Sequence, residues 1–193
     1  MMKKNLGVRP YLLPMPVLII GTYCEDGTPD AMNAAWGTLC EMNTVALYLS
    51  AGHKTVANIR KRGAFTVGIA DTKHVVPCDY VGLVSANTDR EKMAKSGLTL
   101  TKSEHIDAPV VEDLPLTLEC KLDYIDEQSG CVYGEIVNVL AEESVLTDGE
   151  VDLGKLDPLS YDPASRCYFS MGEKVGTAFH DGAALKKTNG GNV

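Results

Sequence analysis

The chain has 193 residues, of which 45% are hydrophobic and 23% are charged. This is the composition of an ordinary globular protein that is long enough to bury one core. The net charge of −8 argues against a nucleic-acid partner, because such partners favour a basic face. A small anionic ligand stays possible, since one local basic pocket is enough. We expect a single domain over residues 1–193, with a disordered tail at 188–193.

The N-terminus begins like a secretory signal but does not continue as one. Lys3 and Lys4 imitate its charged start, whereas Pro10, Pro14 and Pro16 interrupt the apolar run and no small-residue cleavage site follows. No apolar stretch approaches the ~20 residues of a membrane-spanning helix. We therefore expect a cytoplasmic protein that has no membrane partner.

The first strands are marked by apolar runs and a turn. Val17–Cys24 is an apolar strand, and the Asp-Gly pair within Glu25–Thr28 is typical of a hairpin turn. The return strand runs from Pro29 into Ala35. The segment Thr44–Ser50 alternates between apolar and more polar residues, as a half-buried strand does.

The next segment has the features of an anion site. A glycine-containing break after the Thr44–Ser50 strand leads into a helix predicted over Thr55–Arg62. The N-terminus of a helix carries unpaired N–H groups and a partial positive charge, which suits a phosphate. The alternative is that the basic residues here are solvated loop residues. The candidate phosphate-binding residues are Ser50, His53, Lys54 and Thr55.

The middle of the chain alternates strand and helix signals. One face of Ala64–Ala70 consists of Thr, Gly and Ala, which lets a flat ring or another backbone approach closely; a covering helix is an open alternative. His74–Ser85 is predicted to be helical. Thr88–Glu91 has the pattern of a capping box that opens a short helix ending at Gly97. We expect Leu98–Pro109 to be irregular.

The C-terminal half contains the clearest strand of the chain. Leu116–Tyr124 alternates, Cys131–Leu140 pairs back onto it, and Gly134 indicates a bulge or a barrel corner. Asp148–Ser165 is predicted to be a long ordered loop. Many strands with few helices and no β-α-β alternation favour a closed antiparallel barrel. Within the predicted strand Leu116–Tyr124, the residues expected to face water are Thr117, Glu119, Lys121 and Asp123.

Several catalytic motifs are absent from the sequence. There is no dinucleotide-binding G-x-G-x-x-G, no G-x-S-x-G, no H-E-x-x-H and no Walker loop. No carboxylate pair stands out, and no His is spaced to complete a zinc site with the six cysteines. We therefore predict no catalytic residue, no metal site and reduced, mostly buried thiols. This pattern fits a protein in which a cofactor performs the chemistry.

Four segments carry a resemblance to a known family. They are Asn33-Ala34-Ala35-Trp36-Gly37-Thr38, then Lys54-Thr55 with Asn58-Ile59, then Asp79-Tyr80-Val81-Gly82-Leu83-Val84-Ser85, and finally Pro158-Leu159-Ser160-Tyr161 with Tyr168 and Gly172. Through them the chain, from about Tyr11 to Phe179, resembles the flavin reductase-like, FMN-binding split-barrel family, and most of all its flavoredoxin branch.

The resemblance implies a fold, a cofactor and an activity. It implies a mainly β protein with a few helices, a Greek-key antiparallel split barrel that forms a homodimer with FMN near the subunit interface. The implied activity passes electrons from NADH or NADPH through FMN to an unknown acceptor. Two alternatives stay open: an FMN-binding electron-transfer module without turnover of its own, and a barrel that binds another ring such as haem or a deazaflavin.

The resemblance also implies the cofactor-binding residues. The backbone of Ala34–Thr38 lies along the flavin in this family, although Trp36 alone would be taken for a core aromatic. Cys78, in the first turn of a predicted helix, is either a stabilised thiolate or an inert thiol. The predicted cofactor-binding residues are Asn33, Ala34, Ala35, Trp36, Thr38, Ser50, His53, Lys54, Thr55, Asn58, Tyr80 and Tyr168.

Overall fold

The computed structural model describes residues 1–189. The predicted tail, 188–193, begins inside the last 3-10 segment, and residues 190–193 lie outside the described part. The helices are α1 Lys54–Arg62, α2 Val75–Leu83, α3 Lys92–Ser96 and α4 Leu153–Leu156, with 3-10 segments at Thr72–His74, Glu143–Val145 and Asp181–Asn189. The strands are β1 Met15–Pro16, β2 Leu18–Tyr23, β3 Pro29–Ala34, β4 Gly37–Glu41, β5 Thr44–Tyr48, β6 Ala64–Ile69, β7 Leu100–Lys102, β8 Pro109–Val111, β9 Leu116–Asp126, β10 Cys131–Ala141, β11 Leu146–Thr147, β12 Glu150–Val151, β13 Leu159–Asp162 and β14 Cys167–Ser170.

A seven-stranded antiparallel sheet in the order β3-β2-β6-β9-β10-β5-β4 forms the body of the molecule. Its two edge strands, β3 and β4, follow each other in the chain, so the sheet curls until its ends meet. At that junction a Cβ on Gly37 would lie 2.7 Å from side chains of both Leu18 on β2 and Leu47 on β5. The predicted mainly β split barrel is confirmed.

Both faces of β2 are buried, which explains its continuous apolar sequence. Ile20 points into the barrel, where it packs with Phe65 and with Ile59 of α1. Ile19 points outward into a second cluster that contains Val81 of α2. The predicted helices over 55–62 and 74–85 are confirmed as α1 and α2, and Gly63 ends α1 in the left-handed conformation at φ 66°.

The prediction for the water-facing residues of β9 was wrong at two positions. Thr117 and Glu119 are 1% and 0% exposed. The segment between β7 and β8 lies over this face, so Leu98–Pro109 is also more regular than expected. The Glu119 carboxylate accepts hydrogen bonds from Ser103 and, at 2.6 Å, from Asn138 Nδ2. Burying a carboxylate is tolerable because these donors replace water.

The small-residue face of β6 is covered by the chain itself. Thr66 Oγ1 donates to the Pro109 carbonyl at 2.6 Å, and a Cβ on Gly68 would lie 2.7 Å from Leu114 Cδ1. The backbone at Pro109 therefore packs closely against this face. Because the face is buried, it is not available to a second subunit.

Two further local expectations were wrong in part. The short helix that ends at Gly97 is present as α3, but Thr88–Glu91 is not its capping box: it is a turn in which Asp89 Oδ1 accepts from the Glu91 N–H at 2.9 Å, and α3 begins only after it. The segment Asp148–Ser165 contains β12, α4 and β13. Asp152 accepts from the first amides of α4 and makes that part of the chain regular.

All six cysteines are unpaired, and Cys24, Cys78, Cys120 and Cys131 are buried. Burial raises the pKa of the Cys78 thiol to about 12, with further contributions from Asp71 and Asp113. Cys78 is therefore an inert thiol at neutral pH. Among the described residues, no helix combines the length and the apolar character needed to cross a membrane.

The bulge predicted at Gly134 is present, as a register shift between β9 and β10. A Cβ here would overlap Phe65 Cζ and lie 2.7 Å from Phe65 Cε1, and the Phe65 side chain is fully buried. We expect Gly134→Ala to lower the free energy of unfolding by about 1–3 kcal/mol, because overpacking a core costs that much. Chemical denaturation measures the change.

Gly172→Ala is the matched control, since nothing lies within 4 Å of a Cβ at that position. Its free energy of unfolding should stay within about 0.5 kcal/mol of wild type. Equal stability of the two variants would show that Phe65 can move aside.

Candidate functional site

A cleft opens where β3 passes between the start of α1, the end of α2 and the β13–β14 hairpin. It has two connected parts, which share Met32, Asn33, His53, Gly82 and Leu83. The wide compartment, about 520 Å³, is lined by Met32, Asn33, Ala34, Ala35, Trp36, Tyr48, Leu49, Ser50, His53, Asp79, Gly82, Leu83, Tyr161, Arg166 and Tyr168. The narrow compartment, about 200 Å³, is lined by Asp30, Met32, Asn33, Gly52, His53, Lys54, Thr55, Val81, Gly82, Leu83, Val84, Ser85, Ala86 and Lys92.

The narrow compartment receives the N-terminus of α1. His53 occupies the N-cap position, but no side chain in the described part of the chain caps the helix. The first N–H groups of a helix have no partner within it and carry partial positive charge. The turn before the helix is closed by a hydrogen bond from the His53 N–H to the Ser50 carbonyl at 2.9 Å. Lys54 adds a full positive charge to an end of the cleft that already favours anions.

A second cation in the narrow compartment was missed by the sequence analysis. Lys92 of α3 is buried, and its Nζ lies 3.0 Å from Oδ1 of Asp30, whose side chain is 2% exposed. Among the described residues, neither oxygen of Asp30 has a hydrogen-bond partner of good geometry. A lysine on a short, polar helix normally points to water, so nothing in the local pattern indicated that Lys92 faces inward.

The wall of the wide compartment is fixed by a hydrogen-bonded chain of three side chains. Tyr168 on β14 donates to Asp79 Oδ1 on α2 at 2.8 Å and accepts from Asn33 Nδ2 on β3 at 3.4 Å. Asn33 Nδ2 also donates to the Cys78 carbonyl at 3.0 Å. Burial, followed by the hydrogen bond to Asp79, raises the pKa of Tyr168, so the phenol stays protonated and keeps donating.

Close packing of α2 against β3 closes the floor of the cleft. A Cβ on Gly82 would lie 2.9 Å from the Cβ of Asn33, so this approach requires glycine. The same contact keeps Asn33 within reach of the Cys78 carbonyl. The residues of the Asp79–Ser85 segment therefore shape the cleft through the backbone as well as through Asp79.

The structure brings most of the predicted binding residues together, but not all of them. Thr38 lines a neighbouring cleft against the N-terminal segment, and Trp36 is 57% exposed instead of being a core aromatic. Asn58 is buried and its Nδ2 donates to Thr22 Oγ1 at 3.0 Å, beneath α1. Tyr80 packs against the outer core cluster and lines neither compartment. Asn33, Ala34, Ala35, Trp36, Ser50, His53, Lys54, Thr55 and Tyr168 line the cleft.

Comparison with known proteins agrees with this arrangement. The model of the flavin reductase like domain matches residues 11–169. A flavoredoxin of Desulfovibrio vulgaris (Miyazaki F) is 38% identical, with 94% of this chain and 100% of that chain covered and a TM-score of 0.90. A flavoredoxin from Methanosarcina acetivorans is 28% identical, with 96% and 98% covered and a TM-score of 0.83.

A more distant relative has no assigned activity. An uncharacterized protein of Methanothermobacter thermautotrophicus is 26% identical over 165 residues, which are 78% of this chain and 76% of that protein. The family model spans most of the chain, and the first flavoredoxin aligns along its whole length. This chain belongs to the flavin reductase-like split-barrel family, in its flavoredoxin branch.

Proposed function

We propose that the protein binds FMN and passes electrons from NADH or NADPH through it to an acceptor. The observation that carries the proposal is the two-part cleft, in which a cationic, amide-lined end joins a wider end lined by apolar and aromatic side chains. FMN has the same division, with a dianionic phosphate at one end and an uncharged ring at the other. The similarity to two flavoredoxins supports the same cofactor class.

The narrow compartment fits the phosphate. The unpaired amides at the start of α1 would donate to phosphate oxygens, and Lys54 would supply positive charge, whereas the charge of Lys92 is already paired with that of Asp30. Thr55 lines the same end of the cleft. The compartment therefore offers both amide donors and a cation to one phosphate.

The wide compartment fits a flat ring. Ala34 and Ala35 present little side chain there, so backbone groups can approach the polar edge of a ring. When bound, FMN would supply the hydride-transfer and electron-transfer chemistry between the nicotinamide donor and an acceptor. The protein's residues bind and orient the ring, and Tyr168, held by Asp79, keeps one wall in place.

The six unpaired cysteines support a reducing compartment, and we place the protein in the cytoplasm. Cys40 and Cys167 are exposed, so both would be open to oxidation outside a reducing compartment. A pool of NADH or NADPH is also available there.

The cofactor assignment is tested on the purified protein. We expect a flavin absorption spectrum and, after heat release and chromatography, FMN rather than FAD, because the cleft offers one phosphate site. Stoichiometric FAD or haem would contradict the assignment. Steady-state oxidation of NADH or NADPH with excess FMN then separates a reductase from an electron-transfer module that lacks turnover.

Reversing the charge at Lys54 should separate phosphate binding from ring binding. A hydrogen bond to a charged group contributes about 1.5–3 kcal/mol, and about 1.4 kcal/mol is a factor of ten in affinity. We expect Lys54→Glu to weaken FMN at least ten-fold and to leave riboflavin, which has no phosphate, nearly unchanged. Titration of flavin fluorescence measures both affinities.

Lys102→Glu is the matched control, because Lys102 is exposed on β7 and lines neither compartment. It should bind both flavins as wild type does. Equal weakening of FMN and riboflavin by Lys54→Glu would show that the residue acts on the ring or the fold, and our placement of the phosphate would be wrong.

We also propose that the protein is a homodimer. The edge strand β4 and its neighbour β5 expose apolar side chains: Leu39 is 60% exposed and Tyr48 is 50% exposed, next to Trp36. Exposed hydrophobic edge strands are normally covered, and two-fold dimers are the commonest homo-oligomers. Since Trp36 and Tyr48 also line the wide compartment, a partner on this edge would lie close to the flavin.

Light scattering at micromolar concentration, with FMN bound, should give twice the chain mass. Leu39→Lys places a charge on the proposed interface and should shift the mass towards that of a monomer. Val76→Lys is the control, because Val76 is 79% exposed on α2, away from this edge. A wild-type monomer, or equal dissociation of both variants, would contradict the proposed dimer.

A further inference from the structure

The wide compartment contains a cation that FMN does not need. Arg166 lines this compartment and is absent from the lining of the narrow one. FMN has a single charged group, its phosphate, and the lysine that would balance it, Lys54, lines the narrow compartment and not the wide one. Arg166 therefore lies outside the compartment that would hold the FMN phosphate.

The structure holds Arg166 in place without neutralising it. The backbone N–H of Arg166 donates to the Asp162 carbonyl at 2.8 Å. Arg166 lies at the end of the turn between β13 and β14, where its φ is 57°. The Asp162 carboxylate is engaged by the turn itself, through the Ala164 N–H and the Ser165 hydroxyl at 2.8 and 2.7 Å. Within the described part of the chain, the Arg166 guanidinium has neither an ion pair nor a hydrogen bond.

The other carboxylate of the compartment is also engaged. Asp79 accepts a hydrogen bond from the Tyr168 hydroxyl at 2.8 Å. Arg166 is thus a free guanidinium at the border of a compartment whose walls are otherwise apolar, aromatic or already paired. A planar guanidinium binds phosphate oxygens through two parallel hydrogen bonds, which makes arginine well suited to phosphate recognition.

We propose that Arg166 binds the pyrophosphate of the nicotinamide dinucleotide donor; this rests on the proposed function. The nicotinamide must face the flavin ring in the wide compartment, with the reacting atoms about 3–3.5 Å apart. In a dinucleotide the pyrophosphate is only one ribose away from the nicotinamide. A cation that borders the ring therefore lies within reach of the donor's charge, and the compartment that would hold the FMN phosphate does not include it.

The experiment compares Arg166→Gln with wild type in steady-state kinetics. The substrate is whichever of NADH and NADPH the wild type oxidises with the higher kcat/KM. We expect the KM for the dinucleotide to rise at least ten-fold, with kcat within about two-fold, since one charge-assisted contact is lost. The difference in KM between wild type and Arg166→Gln should become smaller at high salt, because salt screens the charge of Arg166. Arg166→Lys keeps the positive charge but loses the planar guanidinium, so its KM for the dinucleotide should lie between those of wild type and Arg166→Gln.

Two controls locate the effect. N-benzyl-dihydronicotinamide has the reactive ring but no phosphate, so Arg166→Gln should oxidise it as wild type does. Lys102→Gln removes an exposed cation away from the cleft and should leave both donors unaffected. A loss with N-benzyl-dihydronicotinamide as large as that with the dinucleotide would overturn the proposal, because Arg166 would then act on the ring.

Binding without turnover gives an independent readout. Titration with oxidised dinucleotide, followed by the absorption of bound flavin, should give a Kd at least ten-fold higher for Arg166→Gln. Its affinity for FMN and riboflavin and its flavin reduction potential should match wild type. An altered potential with an unchanged dinucleotide Kd would overturn the proposal.

The outcome for wild type separates this inference from the proposed function. If wild type oxidises a dinucleotide and Arg166→Gln does so equally well, only the role of Arg166 is overturned. If wild type binds FMN but oxidises neither dinucleotide, the proposed donor is wrong and the role of Arg166 falls with it.

Discussion

The burial of both faces of β2 is the constraint on which the rest of the structure depends. A strand with Ile20 on one face and Ile19 on the other needs a barrel interior on one side and a covering layer on the other. The sheet supplies the interior by curling, and α2 supplies part of the layer. The neighbouring strand, β3, is then held between barrel and layer, and the cleft opens along it. The position of the site thus follows from how the core is divided.

Two buried carboxylates in this molecule differ in how completely they are hydrogen-bonded. Glu119 is surrounded by donors from Ser103 and Asn138, which fasten the β7–β8 segment to the barrel. Asp30 and Lys92 form a buried pair beside the narrow compartment, with no good hydrogen bond to either carboxylate oxygen. Removing two charges from water costs several kcal/mol for each ion unless the pairing is excellent. The incompletely hydrogen-bonded pair is the one that borders the cleft.

Local signals in the sequence predicted the local structure well. The Asp-Gly turn, the alternation of 44–50 and the glycine after α1 each depend on a few neighbouring residues, and the corresponding elements formed where expected. Glu119 shows where this reasoning ends, because its burial is decided by a segment that precedes it by about a dozen residues and folds over its strand. Lys92 and Arg166 were missed for the same reason: each has a polar neighbourhood in sequence, and only the fold turns it towards the cleft.

The distribution of charge along the cleft limits what can bind there. The chain has a net charge of −8, yet the cleft has cations at both ends, Lys54 and Lys92 in one compartment and Arg166 in the other. Interactions between exposed charges are largely screened beyond about 10 Å at 0.1 M salt, so the nearby cations outweigh the distant surface. The FMN and the nicotinamide dinucleotide that we propose would each place its phosphates near one of these cations and its uncharged ring between them.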